Sequence, residues 1–209
     1  MYPFQILCVI EKMNDIESKR ALISNLSNEI ALCKKCPLWR TRNTPLVGDG
    51  SPGAKIIMIG ESPGYHEDIQ GKAFVGKAGE ILNKLLEEIN LSRNNIYITN
   101  VLKCHPPRNH NPKPEEIKAC INYLYEQIKI IQPAIIIPLG KFASETIFAK
   151  VRLPFSRISD IHGKIFEIRA SYGTVKIIPL YHPSVASYNV SMFDTLKEDI
   201  KNSVGKILP

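Results

Sequence analysis

The chain has no apolar run that approaches a membrane span. Its longest, such as Ile135-Ile136-Ile137, fall far short of the roughly 20 residues a spanning helix needs. The first residues, MYPFQILCVIEKM, hold a short apolar stretch with no basic leader before it and no small-residue cleavage site after it, so a secretory signal is not expected. Internal repeats, low-complexity blocks and a long Gly/Ser linker are missing as well. Cysteines number five, and without secretion they are not expected to form a disulfide framework.

What is present suits one soluble domain. A length of 209 residues allows a single domain spanning 1–209 with a proper core. The 44% apolar and 22% charged content argues against wholesale disorder. Lys and Arg outnumber Asp and Glu by 27 to 20, leaving +7. That balance suits a polyanion, nucleic acid being the commonest, or simply a Lys-rich solvated surface. The abundance of Ile, Lys and Glu resembles the composition of thermophile proteins.

Residues 14–32 read as a helix, with Ile16, Ile23, Leu26 and Ile30 near helical spacing. Residues 1–30 are thus expected to be an N-terminal helical extension of the domain. A loop dense in turn formers follows, CKKCPLWRTRNTPLVGDGSPG. Four nearly continuous apolar runs, KIIMI at 55–59, IYITNV at 96–101, AIIIPL at 134–139 and VKIIPLY at 175–181, read as strands buried on both faces. Residues 78–89, with Ile81, Leu82, Leu85, Leu86 and Ile89, have one apolar helical face. Residues 114–131 open on a proline with Glu115 and Glu116 in the first turn, and Ile117, Ile121, Leu124 and Ile128 form the stripe. A short helix over 141–150 and a hairpin formed by 164–169 and the run from 175 complete the pattern. The alternation predicts an α/β protein, a three-layer α/β/α sandwich around a central, mainly parallel four-stranded sheet.

Ligands of such sheets bind beyond the carboxyl ends of the strands, and the unusual residues fall there. The first strand runs into Gly60-Glu61-Ser62-Pro63-Gly64, the second carries Asn100 near its end, and the last ends in His182-Pro183-Ser184. A carboxylate, an amide and an imidazole could converge on one pocket. The cysteines form a second constellation: Cys33 and Cys36 in a C-x2-C loop, Cys104 after the second strand, Cys120 early in the next helix, and Cys8 left as a spare. Four cysteines with one tight pair read as a metal or iron–sulfur site, and spacing alone does not separate zinc from a [4Fe–4S] cluster.

Taken in order, GESPGYHED at 60–68, QGKAFVGKAG at 70–79, TNVLKC at 99–104, CHPPR at 104–108, PEEI at 114–117 with Cys120, and the terminal His182-Pro183-Ser184 resemble the family 4 uracil-DNA glycosylases. Those are iron–sulfur enzymes of thermophilic archaea and bacteria. The resemblance covers about residues 30–200, leaving about 1–25 outside it. Ala73 stands where the family usually has proline, His105 stands where arginine is common, and 158–164 is less basic than usual.

The resemblance implies excision of uracil from DNA, leaving an abasic site and starting base excision repair. It also implies that Cys33, Cys36, Cys104 and Cys120 hold a structural [4Fe–4S] cluster. Phe74 matches the residue that stacks on the flipped base. Asn100 can accept from uracil N3–H and donate to O4. His182 would donate to uracil O2 as negative charge grows there. Because Ser62 is a poor base, the attacking water would lean on Glu61, the expected catalytic carboxylate, on ordered water held by backbone groups, or on the anionic DNA itself. Gly60, Glu61, Ser62, Glu67, Phe74, Asn100 and His182 would surround uracil, with Glu67 in a loop guarding against the thymine methyl. Pro183, Ser184 and Val185 would begin a wedge loop running to Tyr188, which fills the gap left by the base. Lys34, Lys35, Arg40, Arg42, Lys72, Lys77, Arg108 and Lys113 would track phosphates of single- or double-stranded uracil-containing DNA. A monomer in the cytoplasm of a prokaryotic cell is expected, with no membrane partner. A sliding clamp stays open as a second partner through a terminal segment, although no clamp-binding motif stands out. Other readings are a binding protein that has lost turnover, a glycosylase for deaminated purines such as hypoxanthine, and a zinc-dependent nucleic-acid binder.

Overall fold

The computed structural model describes residues 15–207. Cys8, most of the expected N-terminal extension before Ile16, and the last two residues lie outside that range. Asp15 opens the first helix, α1 (Ile16–Ala31): its carboxylate accepts from the backbone N–H groups of Glu17 and Ser18, both at 2.9 Å, which satisfies two donors a helix start leaves free. In chain order there follow β1 (Asp49–Gly50), β2 (Ile56–Gly60), α2 (Tyr65–Gln70), α3 (Lys77–Glu87), β3 (Ile96–Asn100), α4 (Pro114–Ile131), β4 (Ile135–Pro138), α5 (Lys141–Val151) and α6 (Ile158–Ile161). The chain then forms a hairpin of β5 (Phe166–Ala170) and β6 (Gly173–Ile177), a helical turn α7 (Val185–Tyr188), and α8 (Ser191–Ile200).

The sheet has six strands in the order β1-β3-β2-β4-β6-β5. Its centre is the four parallel strands expected from the apolar runs, β3, β2, β4 and β6. The count of four is corrected by one antiparallel strand at each edge. On one side the expected hairpin adds β5. On the other, two residues of the cysteine-bearing segment pair with Tyr97 and Ile98, too short a stretch to leave a pattern.

Within β2, Ile56 and Met58 face one layer, while Ile57 and Ile59 face the other. The first layer is built by Leu82, Leu85 and Leu86 of α3 with Leu196 and Ile200 of α8. The second is built by Leu124 and Ile131 of α4 with Ala143, Ile147 and Phe148 of α5. This is the three-layer sandwich. A third apolar cluster joins Leu26 and Ile30 of α1 to Leu38, Leu102 and Tyr123 around Cys104 and Cys120. The N-terminal helix is therefore packed onto the cysteine region.

The segment 65–67, expected as loop, begins α2. Gly64 opens that helix in an extended conformation and Gly71 closes it in the left-handed region at φ 66°. Six residues between two glycines are too few to show a helical period.

Candidate functional site

The central parallel strands bring their carboxyl ends together around β2, where chain order reverses direction across the sheet. A cavity of about 130 Å³ opens there, lined by Ser62, Gly64, Glu67, Phe74, Ala78, Asn100 and His182. Asn100 ends β3 and is 2% exposed. Gly60 ends β2 directly opposite it. A Cβ on Gly60 would overlap Asn100 Oδ1 and come within 2.9 Å of the Phe74 ring. The glycine makes room for the amide and the ring to stand side by side.

Phe74 holds its ring in the cavity at a backbone φ of 52°, a left-handed conformation that a bulky residue adopts only under constraint. Two side chains supply it. Arg93 donates from Nη1 to the Phe74 carbonyl at 3.1 Å and from Nη2 to the Ala73 carbonyl, and it is paired with Asp49 at 3.0 Å. From the other side, Glu67 Oε1 accepts from the Val75 and Gly76 N–H groups, both at 3.0 Å. Glu67 lines the cavity as expected, and its carboxylate also fastens the Phe74 loop. Arg93 was not singled out in the sequence: it lies in a polar turn whose 20-residue reach to Ala73 leaves no local signal. Ala78, also not anticipated, lines the cavity from the first turn of α3.

His182 follows β6 and lies against the end of β4, where Gly140 at φ 84° leaves only 3.0 Å between a hypothetical Cβ and His182 Cβ. Its ring stands 5.7 Å from that of Phe74 at 31°. Burial lowers its pKa to about 4, although the Glu67 carboxylate pulls the other way. The imidazole is therefore neutral at pH 7. The Ser184 backbone N–H approaches His182 Nδ1 at 3.3 Å, and the Ser184 hydroxyl lies 2.8 Å from the same nitrogen. A backbone N–H can only donate, so Nδ1 is the acceptor and the single ring proton sits on Nε2.

Glu61 is the first residue past β2 and does not line the cavity. Burial raises its carboxyl above the ordinary glutamate value. Among the described residues no ion pair or side-chain hydrogen bond engages it. Ser62 and Gly64 reach the cavity from the same loop. Its Pro63 carbonyl is held by His105 Nδ1 at 2.9 Å, so the residue that departs from the family pattern ties the cysteine loop to the strand-end loop. Pro183, Ser184 and Val185 lie beside the cavity rather than in its lining. Val185 packs against the core, whereas Tyr188 and Val190 are 91% and 84% exposed.

Cys33, Cys36, Cys104 and Cys120 line one partly open pocket together with Ile30, Trp39 and Tyr123, Cys104 and Cys120 being the buried pair. Arg42 Nη1 donates to Cys104 Sγ at 3.1 Å, and the Lys103 backbone N–H donates to Cys120 Sγ at 3.3 Å. Burial raises the thiols of Cys36 and Cys104, and pushes that of Cys120 up to about 11. Among the described residues no three His, Cys, Asp or Glu side chains close around a point as a single metal ion requires. Arg42, expected on phosphates, is instead turned inward, with Nη2 on the Ala31 carbonyl at 2.6 Å. Lys34 and Lys35 lie over the Trp39 and Tyr123 rings at 5.0 and 4.6 Å, and Lys35 also lines the cysteine pocket.

Residues 47–204 match the uracil DNA glycosylase superfamily. The chain is 40% identical over 179 residues to a type-4 uracil-DNA glycosylase of Archaeoglobus fulgidus, covering 86% of this chain and 90% of that protein. It is 41% identical over 180 residues to a type-4 uracil-DNA glycosylase of Sulfurisphaera tokodaii, covering 86% and 82%. With one of Thermotoga maritima the identity is 37% over 174 residues, covering 83% and 88%.

Proposed function

The chain belongs to the uracil DNA glycosylase superfamily and to its type-4 family, and on that premise we propose that it flips uracil out of DNA and hydrolyses the N-glycosidic bond, leaving an abasic site. One observation carries the reading: an amide, an aromatic ring and a neutral imidazole meet on a single cavity of about 130 Å³. An apolar cavity of about 150 Å³ accepts one benzene ring, so this volume suits a single pyrimidine.

The flipped base lies on Phe74. Asn100 accepts from N3–H and donates to O4, a pattern cytosine reverses. Each buried group left unpaired by the wrong base costs about 1–3 kcal/mol. As the bond from the sugar C1′ to N1 breaks, its electron pair passes to the base and charge gathers on O2. His182 Nε2–H is the donor for that oxygen, and its bond strengthens only as the charge develops. Water adds to C1′ and gives up its proton, for which Glu61 is the available carboxylate. Glu67 guards the cavity beside the uracil 5-position while holding the Phe74 loop. The exposed Tyr188, rather than the packed Val185, is the wedge that fills the vacated stack.

The four cysteines are the ligand set for a [4Fe–4S] cluster: they line one pocket, and two N–H donors point at their sulfurs. Cys33, Cys36, Cys104 and Cys120 would hold it, and it would then cross-link the 33–36 loop to the segment after β3 and to α4. DNA, single- or double-stranded, is the partner, with Lys34, Lys35, Arg40, Lys72, Lys77, Arg108 and Lys113 on phosphates; the enzyme acts as a monomer in the cytoplasm.

The test is a labelled single-stranded oligonucleotide carrying one uracil, followed by alkali. Strand breaks at uracil are expected for the wild type, fading in Asn100→Ala and in His182→Ala. Absence of breaks from cluster-loaded wild type refutes the uracil assignment.

A further inference from the structure

Lys103 is 1% exposed, and a buried ammonium is costly unless every proton finds an acceptor. All three do. Nζ donates to Thr99 Oγ1 at 2.7 Å, to the Asn100 backbone carbonyl at 2.7 Å and to Gln127 Oε1 at 2.6 Å. Gln127 is itself fully buried, and its amide donates to the Val47 carbonyl at 2.6 Å and to Tyr97 Oη at 3.2 Å. The acceptors are all uncharged, so packing alone would be served better by leucine or methionine. Lys103 also lines the cysteine cavity, its N–H is on Cys120 Sγ, and its carbonyl accepts from Leu46 N at 2.7 Å.

The Asn100 contact matters most. The peptide between Asn100 and Val101 is held at both ends: its N–H, from Val101, donates to the Gly60 carbonyl at 2.9 Å, and its carbonyl accepts from Lys103. Fixing that plane fixes the Cα from which the Asn100 amide projects into the cavity. Nothing else among the described side chains reaches this carbonyl.

We propose that Lys103 is a positioning residue for base recognition, which ties the Asn100 backbone to α4 and the cysteine centre and so sets where the Asn100 amide stands. This rests on the reading of the cavity as a uracil pocket. Lys103 does not touch the base; it acts through Asn100. A displacement of about 1 Å in such a group can reduce catalysis on the order of 100-fold.

The experiment uses cluster-loaded protein and separates the base pocket from the rest of the DNA surface. Inhibition by free uracil reads only the pocket; affinity for an abasic oligonucleotide reads the phosphate contacts. In Lys103→Met, free-uracil inhibition should weaken roughly tenfold or more, abasic DNA should bind within about twofold of wild type, and iron content should be kept. Unchanged uracil inhibition overturns the proposal. Parallel loss of both affinities does so too, because it marks a merely structural lysine. Gln127→Met, which leaves the lysine but removes one anchor of its ammonium, gives a second comparison if Lys103→Met folds poorly: selective loss of uracil inhibition supports the proposal, and loss of neither or of both refutes it. Failure of wild type to respond to free uracil would instead refute the pocket assignment itself.

Discussion

Arg93→Met isolates the clamp on Phe74 without touching the cavity lining. The arginine makes two hydrogen bonds, to the Ala73 and Phe74 carbonyls, and one ion pair to the 40%-exposed Asp49 side chain. A hydrogen bond from a charged donor contributes about 1.5–3 kcal/mol, and the exposed ion pair adds about 0–1 kcal/mol. Against this, freeing Phe74 from its left-handed backbone at φ 52° recovers about 1–2 kcal/mol. Two such bonds and the pair together come to about 3–7 kcal/mol, so the net loss is about 1–6 kcal/mol. At its middle, about 3.5 kcal/mol, Tm falls by roughly 7–14 °C in a chain of this size, within the roughly 5–15 kcal/mol that typically keeps a protein folded. Activity should fall further than stability implies, with kcat/KM on single-stranded uracil down about 10–100-fold, because the ring is no longer held under the base. A double-mutant cycle checks the route. If Arg93 acts through Phe74, then Arg93→Met should change activity little in a Phe74→Leu background. Full activity in Arg93→Met at a lowered Tm, or additive losses in the cycle, would refute the clamp as a positioning device.

Three further outcomes follow from the same geometry. Glu61 has a carboxyl raised by burial, whereas His182 stays neutral down to about 4; a base must be ionised, so kcat/KM should fall about tenfold per pH unit below the raised Glu61 value. Glu61→Gln should remove that limb and leave a flat, low profile; an acid limb kept in the variant contradicts the assignment. Tyr188→Ala should depress excision from duplex DNA by roughly tenfold or more while sparing single strands, where there is no stack to refill; equal loss on both argues against the wedge. Cys36→Ser should lose iron and lower Tm without abolishing binding of free uracil by protein that remains folded, measured by calorimetry. An iron content equal to wild type would exclude Cys36 as a ligand.

The parts of the fold that rest on local chemistry were legible. Pro114 at the first helical position, with Glu116 accepting from the Lys113 N–H at 2.9 Å, fixes the start of α4, and the expected 114–131 agrees with Pro114–Ile131. The parallel strands declared themselves as short apolar runs, since both faces are buried. α8 carries Phe193, Leu196 and Ile200 at helical spacing, so its signal was present and unused. β1 was unreadable at two residues. Of the candidate site, Asn100 and His182 were legible from their places at or after the ends of strands, and Phe74 and Glu67 from the motifs they share with the family, while their supports were not. Arg93 meets Ala73 across 20 residues, and Gln127 meets Val47 across 80. Arg42 misled for the same reason: a basic residue in a polar loop reads as surface, and only the fold turns it onto Cys104.

The site has a common design. Asn100, Phe74 and His182 are each fixed by contacts to backbone rather than to one another: Lys103 and Gly60 hold the Asn100–Val101 peptide, Arg93 and Glu67 hold the Phe74 loop, and the Ser184 N–H holds the His182 ring. On the glycosylase reading this arrangement has a purpose. A neutral base entering the cavity brings no charge with which to organise the groups around it, so the groups must already be in place. A neutral imidazole is also cheaper to bury than an imidazolium, and its hydrogen bond to O2 becomes roughly twice as strong once that oxygen carries charge. The stabilisation is then withheld from the bound base and released as the glycosidic bond breaks, the difference that accelerates the reaction. Removing a support should therefore reduce the rate of excision more than it reduces affinity for uracil-containing DNA, whose phosphates are gripped elsewhere.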